Sequence, residues 1–449
     1  MRFPKGFYWG ADSASYQIEG GWNEDGKGQS IWDVFTHTPG KIIDGQNGDV
    51  ACDSYHRYQE DLDILKVLGI GCYRFSISWS RILPEGHGAV NEAGLAYYDK
   101  VIDGCIARGI EPWVTLYHWD LPQALQEDGG WVNPKTAEYF REYAEIVVRH
   151  FGERVKHYFT LNEPQIAIGL GYCVGGHAPG LCLEAEEQFK AWHHLMLGHG
   201  MAVQVIREEA PHASVGVASC GIVGWIDDNP DETPQKLADF TFTSHDENGE
   251  PHHFYSNHWF LDPAVYGVYP DDPGSPWTPF ARKVNAEDLK TICQPIDFIG
   301  LNIYHGVQLD PENDYEPVPD KPGAPRTAFD WPITPKALYW GPRLIYERYG
   351  LPVMISENGR SCLDHIYLDG KIHDPERIDF LERYLTEFSL AGEDGVPIIG
   401  YFHWSLTDNF EWAAGYTQRF GLVYMDYTTG ERILKDSAFW YANLIRESK

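Results

Sequence analysis

At 449 residues and 43% hydrophobic, the chain can bury a large core, and it contains no run of about 18 apolar residues that could span a bilayer. A net charge of −31 disfavours nucleic acid, anionic membrane and polyanionic substrates as partners. Eight cysteines without a CxxC pair, with Cys72, Cys105, Cys220 and Cys293 inside apolar segments, read as buried free thiols, and the N-terminus has no signal-peptide apolar core, so the cytoplasm is the expected location.

Strand-like and helix-like segments alternate along the whole chain. Residues 7–11 (Phe-Tyr-Trp-Gly-Ala) form the first strand candidate. A helix follows from Asp53, as its N-cap, to Leu68, stopped by Gly69. The second strand is expected at 71–79, a helix at 92–108 and the third strand at 112–118. Asn133-Pro134 opens an amphipathic helix closed by Gly152, which places an N-cap, an N1 proline and a terminal glycine in the usual order. The fourth strand is expected at 158–162, a long helix at 186–209, and strands five to eight at 214–219, 298–304, 353–356 and 398–404. Between strands five and six lies a long stretch, 221–294, with short elements of its own. Eight strands, each followed by helix or insertion, predict a single (β/α)₈ TIM barrel over residues 1–449 with long βα-loop insertions.

In such a barrel, function gathers at the C-terminal ends of the strands. There the sequence places Gln17 and Glu19 near strand one, Arg74 on strand two, His118-Trp119-Asp120 after strand three and Asn162-Glu163 after strand four. Strand six offers Asn302 and Tyr304, strand seven Glu357, and strand eight Trp404 with Glu411-Trp412 behind it. Two apolar runs ending in glutamate suggest a facing carboxylate pair, the requirement for cleaving a glycosidic bond. Glu357 is the expected nucleophile, oriented and kept ionised by Arg74 and Tyr304. Glu163, without a cationic neighbour in sequence and close to the Glu357 charge, is the expected acid/base. Asn162 is placed to bond the sugar 2-hydroxyl. Gln17, His118 and Glu411 supply donors and acceptors for paired hydroxyls, and Trp404 a stacking face.

The stretches that carry this chemistry are Phe7-Tyr8-Trp9-Gly10 with Tyr16-Gln17-Ile18-Glu19-Gly20, Tyr73-Arg74-Phe75-Ser76-Ile77-Ser78-Trp79, and Tyr117-His118-Trp119-Asp120-Leu121-Pro122. Later come Thr160-Leu161-Asn162-Glu163-Pro164, Asn302-Ile303-Tyr304, Ile355-Ser356-Glu357-Asn358-Gly359, and Trp404-Ser405-Leu406 with Asp408-Asn409-Phe410-Glu411-Trp412. In combination they resemble glycoside hydrolase family 1, the β-glucosidase family, from end to end. The resemblance implies Glu163 as acid/base and Glu357 as nucleophile. It also implies a glycone site of Gln17, His118, Asn162, Trp404, Glu411 and Trp412, walled by Phe420, with Trp331 stacking on the aglycone. Trp119 and Asn302 complete the expected substrate-binding set.

Three departures from the family pattern stand out. Asp12 occupies a position where many members carry a small or hydroxylated residue, Ile303 one where an aromatic is common, and Arg360-Ser361-Cys362 gives the rim beside Glu357 an unusual charge. Members acting on 6-phosphorylated sugars resemble one another in having Ser, with Lys and Tyr nearby, where this chain has Glu411. Glu411 would repel a phosphate and accept bonds from free hydroxyls, which favours unphosphorylated β-glucosides. A 6-phospho-β-glucosidase and a broad β-galactosidase or β-fucosidase are the alternatives. A metallohydrolase drawing on His193, His194 and His199, or on His252 and His253, is disfavoured by the missing HExxH spacing. No metal or other cofactor is expected. The partner expected is a small carbohydrate, with no nucleic acid or membrane, and a homo-oligomer stays open.

Overall fold

The computed structural model describes residues 1–244 and 253–448, so His252 lies outside the described residues. Eight parallel strands close into a barrel in which every strand pairs with its sequence neighbours and the first pairs with the last. The strands are β1 (Tyr8–Ser13), β2 (Cys72–Ser76), β3 (Glu111–Tyr117), β4 (His157–Asn162), β5 (Ser214–Ser219), β6 (Phe298–Asn302), β7 (Val353–Asn358) and β8 (Ile398–Trp404). Between and after them run α1 (Ser54–Leu68), α2 (Glu92–Ala107), α3 (Lys135–Phe151), α4 (Ala185–Glu209), α5 (Ala286–Ile292), α6 (Ala337–Tyr349), α7 (Pro375–Glu393) and α8 (Asp436–Glu447). The eight expected strands are all present. Strands two and six end three and two residues earlier than their hydrophobic runs suggest, because the chain turns at Ile77 into a short helix, Trp79–Ile82, and at Ile303 toward Tyr304.

Helix boundaries follow local chemistry with two exceptions. Asp53 stands at the start of α1 but in a left-handed conformation with no capping bond; its carboxylate goes to His56 at 2.5 Å. Gly152 ends α3 in right-handed geometry, whereas Gly69 ends α1 in the left-handed form that glycine favours. At the other end of α3, the Asn133 side chain accepts from the Lys135 N–H at 3.1 Å, as a capping asparagine should. The insertion after β5 adds a feature not expected from sequence. Gly224–Trp225 pairs with Val307–Asp310, which pairs with Glu316–Pro317, giving a small sheet over the barrel mouth.

Side-chain alternation divides the core in two. Cys72, Trp113, Phe159, Phe298, Met354 and Phe402 point inward and fill the lower barrel, while the larger cluster packs the outer strand faces against the helices. Two residues above Cys72 on the same face is Arg74, whose guanidinium lies 4.4 Å above the Phe159 ring. Registers break just below the mouth, on β4 and on both sides of β7. Pairing shifts between Phe159 and Asn162 against β5, and between Ile355 and Glu357 against β6. Strict alternation from Met354 would turn Glu357 outward; the shift re-aims it into the barrel, as bulges do near active sites. Of the four cysteines in apolar segments, Cys72 and Cys105 are buried, but Cys220 and Cys293 are only partly so, because they lie just past the last residues of β5 and α5.

The loop that follows β8 is fastened by charge. The Lys435 ammonium, with no exposed surface, donates to Asp364 and Asp408 at 2.6 Å each. Arg419 also binds Asp408, and Arg377 binds Asp364, at 2.7 Å in both cases. Asp408 further accepts from the Gly421 N–H at 3.0 Å, so the segment carrying Glu411, Trp412 and Phe420 is clamped at both ends. Removing one member of such a set leaves a buried charge uncompensated. Lys435→Met is expected to cost about 3–5 kcal/mol in urea unfolding followed by tryptophan fluorescence. Lys190→Met, which breaks an exposed pair with Glu186, should leave the urea midpoint unchanged.

Candidate active site

The strand ends converge on Arg74. Its Nη1 donates to Glu357 Oε1 at 2.9 Å and to Asp12, and its Nη2 donates to Asn162 Oδ1 at 2.6 Å. The other Glu357 oxygen accepts from the Tyr304 hydroxyl at 2.8 Å, so both carboxylate oxygens are held from different strand ends. Glu163 lacks such a cradle. Its Oε1 accepts from the Asn302 amide at 2.7 Å, and the same amide nitrogen reaches Asn162 Oδ1 at 3.1 Å. Ser356 fixes that amide by donating to Asn302 Oδ1 at 2.6 Å, a contact that position next to Glu357 in sequence did not reveal.

Both acids are buried. Burial pushes Glu163 well above the usual carboxyl range, and the neighbouring Glu357 charge adds to the rise. Glu357 is also raised by burial, but Arg74 and the Tyr304 hydroxyl pull it back. Arg74 therefore acts in the expected direction, while desolvation outweighs it. The shared proton belongs on Glu163.

The amide network also fixes a histidine tautomer. Asn162 Oδ1 faces two donors, so its Nδ2 faces His118 Nε2 at 3.0 Å, and that nitrogen must accept. The His118 proton then sits on Nδ1, which is buried without a protein partner. Burial and the Arg74 charge hold this imidazole neutral, well below its ordinary range. Opposite it, Gln17 donates to Phe410 O at 2.9 Å and Asn409 Oδ1 at 3.2 Å, leaving its Oε1 buried and unmatched. A buried unpaired donor beside Asn162 and a buried unpaired acceptor beside Glu411 suit a ligand rich in hydroxyls. Glu411, 3.4 Å from the Gln17 amide, is pushed up to about 8 by burial and by Glu357, against hydrogen bonds from Trp404 and Gln17.

Aromatic rings close the walls. Trp404 lies 5.9 Å from the His118 ring, and Trp412 packs 4.6 Å from Trp119. Trp119 differs from its expected role in one respect: its indole N–H is occupied by the Asn162 carbonyl at 2.8 Å, so it supports the site's backbone. Trp119, Glu163 and Trp412 all have left-handed φ values, 78°, 44° and 49°. Such residues cost on the order of 1–3 kcal/mol each and persist where the surroundings over-determine them. A cavity of about 360 Å³ opens from Glu163 past Asn302 and Tyr304 to Trp331. Trp331 is half-buried, 4.6 Å from Phe329 and 5.9 Å from Phe420. The unusual Arg360-Ser361-Cys362 segment anchors that loop, Ser361 accepting from the Phe329 N–H at 2.9 Å. Ile303, another departure, is buried and lines the cavity wall.

Not every polar strand-end residue joins the site. Glu19 binds Arg81 at 3.0 Å and the Tyr98 hydroxyl, and Asp120 accepts from Ser15 at 3.1 Å. Of the histidines considered for metal, His193 contacts Tyr269 and Asp288, His194 the Trp131 carbonyl and His199 the Thr160 hydroxyl. Among the described residues no group of three or more His, Cys, Asp or Glu side chains is placed to hold a metal ion. No helix of the described residues is long and apolar enough to cross a membrane.

The family model described as glycosyl hydrolase family 1 matches residues 1–449. The chain belongs to glycosyl hydrolase family 1. It is a glycoside hydrolase on a closed (β/α)₈ barrel. Family 1 relatives include beta-glucosidase A of Thermotoga maritima, 43% identical over 100% of this chain and 98% of the relative. Beta-glucosidase A of Acetivibrio thermocellus is also 43% identical, over 100% and 99%. Among solved structures, the Thermotoga maritima β-glucosidase in complex with deoxynojirimycin superposes with a TM-score of 0.89 at 42% identity, covering 100% of this chain and 99% of that one. The same enzyme in complex with cyclophellitol gives 0.88 over the same shares, also at 42% identity.

Tyr304→Phe tests the Glu357 cradle. The hydroxyl stabilises the carboxylate form, so its loss raises the Glu357 pKa and moves the acid limb of kcat/KM to higher pH. A hydrogen bond to a charged group is worth about 1.5–3 kcal/mol, so kcat/KM at the optimum should fall roughly 10- to 100-fold. Initial rates on an aryl β-glucoside across pH check both.

Proposed function

We propose that the protein is a retaining β-glucosidase that removes terminal non-reducing β-D-glucosyl residues from oligosaccharides or aryl and alkyl glucosides. The single observation that carries the assignment of roles is the asymmetry of the two acids. Glu357 has an arginine and a phenol donating to its two oxygens, whereas Glu163 meets only neutral groups, the Asn302 amide and the Cys220 thiol, and faces the Glu357 charge. Glu357 ionised attacks the anomeric carbon while protonated Glu163 gives its proton to the leaving oxygen. Once Glu357 is esterified its charge is gone, Glu163 becomes more acidic, and it takes a proton from the incoming water. Hydrolysis of the ester returns both groups to their starting states with the anomeric configuration retained. Family 1 membership and the β-glucosidase relatives support the glucoside substrate.

His118 Nδ1–H, Gln17 Oε1, Asn162 and Glu411 are the polar contacts for the glycone, with Trp404, Trp412 and Phe420 around it and Trp331 facing the aglycone. Glu411, pushed up to about 8, offers oxygens that bond free hydroxyls and no cation for a phosphate, which supports unphosphorylated sugars over 6-phosphorylated ones. The reading extends to a single catalytic domain acting in the cytoplasm on products of β-glucan or cellulose breakdown, with eight free cysteines as support for the compartment.

Two outcomes test the roles. Glu357→Ala should lose turnover on every glycoside. Glu163→Ala should retain the first step on glycosides with good leaving groups and lose it on alkyl glycosides, because only the latter need the proton. Equal losses on both substrate types would remove Glu163 from the acid role. In the wild type, kcat/KM should fall at low pH as Glu357 takes up a proton and at high pH as Glu163 loses one. Aryl β-glucosides should be cleaved at least tenfold better than their 6-phosphates, and a chelator should leave rates unchanged, as side-by-side assays would show.

A further inference from the structure

Asp12 is the one carboxylate of the Arg74 cluster for which the mechanism has no use. It pairs in register with Arg74 between β1 and β2 and has no exposed surface, so it cannot touch a sugar. Its Oδ1 accepts from the Ser13 N–H at 2.7 Å, and its Oδ2 accepts from Arg74 Nη1. That same nitrogen donates to Glu357 Oε1 at 2.9 Å. Each carboxylate thus uses both oxygens as acceptors, the arrangement of two anions on one cation. Elsewhere on the guanidinium Nη2 donates to Asn162 and Nε is buried without a partner, so the two carboxylates draw on the single nitrogen Nη1.

We propose that Asp12 is a positioning residue of the reaction: it draws part of the Arg74 charge away from Glu357. The nucleophile is thereby more basic than Arg74 alone would leave it. A more basic carboxylate attacks the anomeric carbon faster, and is a poorer leaving group when the glycosyl ester is hydrolysed. Asp12 therefore shifts rate from the second step of the reaction to the first. This rests on Glu357 being the nucleophile.

The surroundings of Asp12 support the competition. From β2 it faces Arg74 and, more distantly, the Tyr73 phenol, whose own ionisation it opposes. From β7 it faces Glu357; on β8 it pairs in register with Trp404, and just beyond that strand the Leu406 N–H donates to the Asp12 backbone carbonyl at 3.1 Å. On the far side of Arg74 are Asn162 and neutral His118, with Glu163 and Glu411 acting on Glu357 or being acted on by it. Arg74 is the cation common to both acids. Burial and the Glu357 charge push Asp12 well above its usual range against the pull of Arg74. Because one nitrogen serves both acids, protonation of Asp12 releases Arg74 to Glu357 and weakens attack.

The experiment compares the parent enzyme with Asp12→Asn, which keeps shape and removes charge, and with Asp12→Ser in case the amide disturbs folding. First, the parent is trapped with a 2-deoxy-2-fluoro-β-glucosyl fluoride and the labelled peptide is identified by mass spectrometry; label elsewhere than Glu357 removes the reading on which the proposal rests. With Glu357 labelled, the variants report on Asp12 alone. The acid limb of kcat/KM should begin about one pH unit lower than in the parent. The trapped ester should hydrolyse several-fold faster, and kcat/KM on alkyl glucosides should fall several-fold. An unmoved acid limb together with an unchanged ester lifetime, whatever the change in melting temperature, would overturn the proposal and leave Asp12 a structural partner of Arg74.

Discussion

One buried guanidinium sets the terms for everything at the barrel mouth. Arg74 projects from β2 onto the face of Phe159 and must satisfy its charge without water, so Asp12, Asn162 and Glu357 are drawn to it from three other strands. A cation with no exposed surface is tolerable only when paired and hydrogen-bonded on most sides. The barrel meets that condition by closing: parallel pairing of β1 with both β2 and β8 brings Asp12 beside Arg74, and register shifts on β4 and β7 bring the acids round.

The consequence is chemical as well as structural. Two glutamates in one dry cavity repel, and the environment divides them by what each can bond to. Glu357 meets a guanidinium and a phenol that prefer its anion, and Glu163 meets an amide shared with Asn162 and Glu357. The difference in basicity that a double displacement needs follows from the distribution of donors rather than from any distortion of the acids themselves. The same economy appears in the His118–Asn162–Arg74 chain, where one guanidinium orients an amide and that amide fixes which imidazole nitrogen carries the proton.

The upper wall is built differently. Glu411, Trp412 and Phe420 arrive on a loop, not on a strand, and a loop has no ladder to hold it. Its rigidity comes from Asp408, held by Lys435 and Arg419, and through Lys435 from Asp364 after β7. Residues remote from the barrel mouth thus determine where Glu411, Trp412 and Phe420 stand. The Trp331 loop is fastened instead by a neutral bond, from the Phe329 N–H to the Ser361 hydroxyl, so the segment beside Glu357 that departs from the family pattern helps place the aromatic rim.

How much of this was legible in the sequence depends on whether the signal was local. Apolar runs, glycine stops and the asparagine cap of α3 are short-range effects, and they located eight strands and most helices by themselves. Glutamates at the ends of two such runs, with a barrel's rule that strand ends converge, were enough to name Glu163 and Glu357. Three things required tertiary structure. The register shift that turns Glu357 inward is a property of pairing between β7 and β6, and nothing in residues 353–358 alone reveals it. Glu19 and Asp120 look as eligible as Gln17 and His118 by position, and only packing shows that Arg81 and Ser15 have claimed them. Asp12 reads in sequence as an odd polar residue in a strand; its meaning lies in an arginine 62 positions away. Periodicity determined which elements form, because it reflects each residue's own solvation. Which charges meet was decided by the closed barrel, because buried electrostatics depends on distance through space and on how many acceptors share one donor.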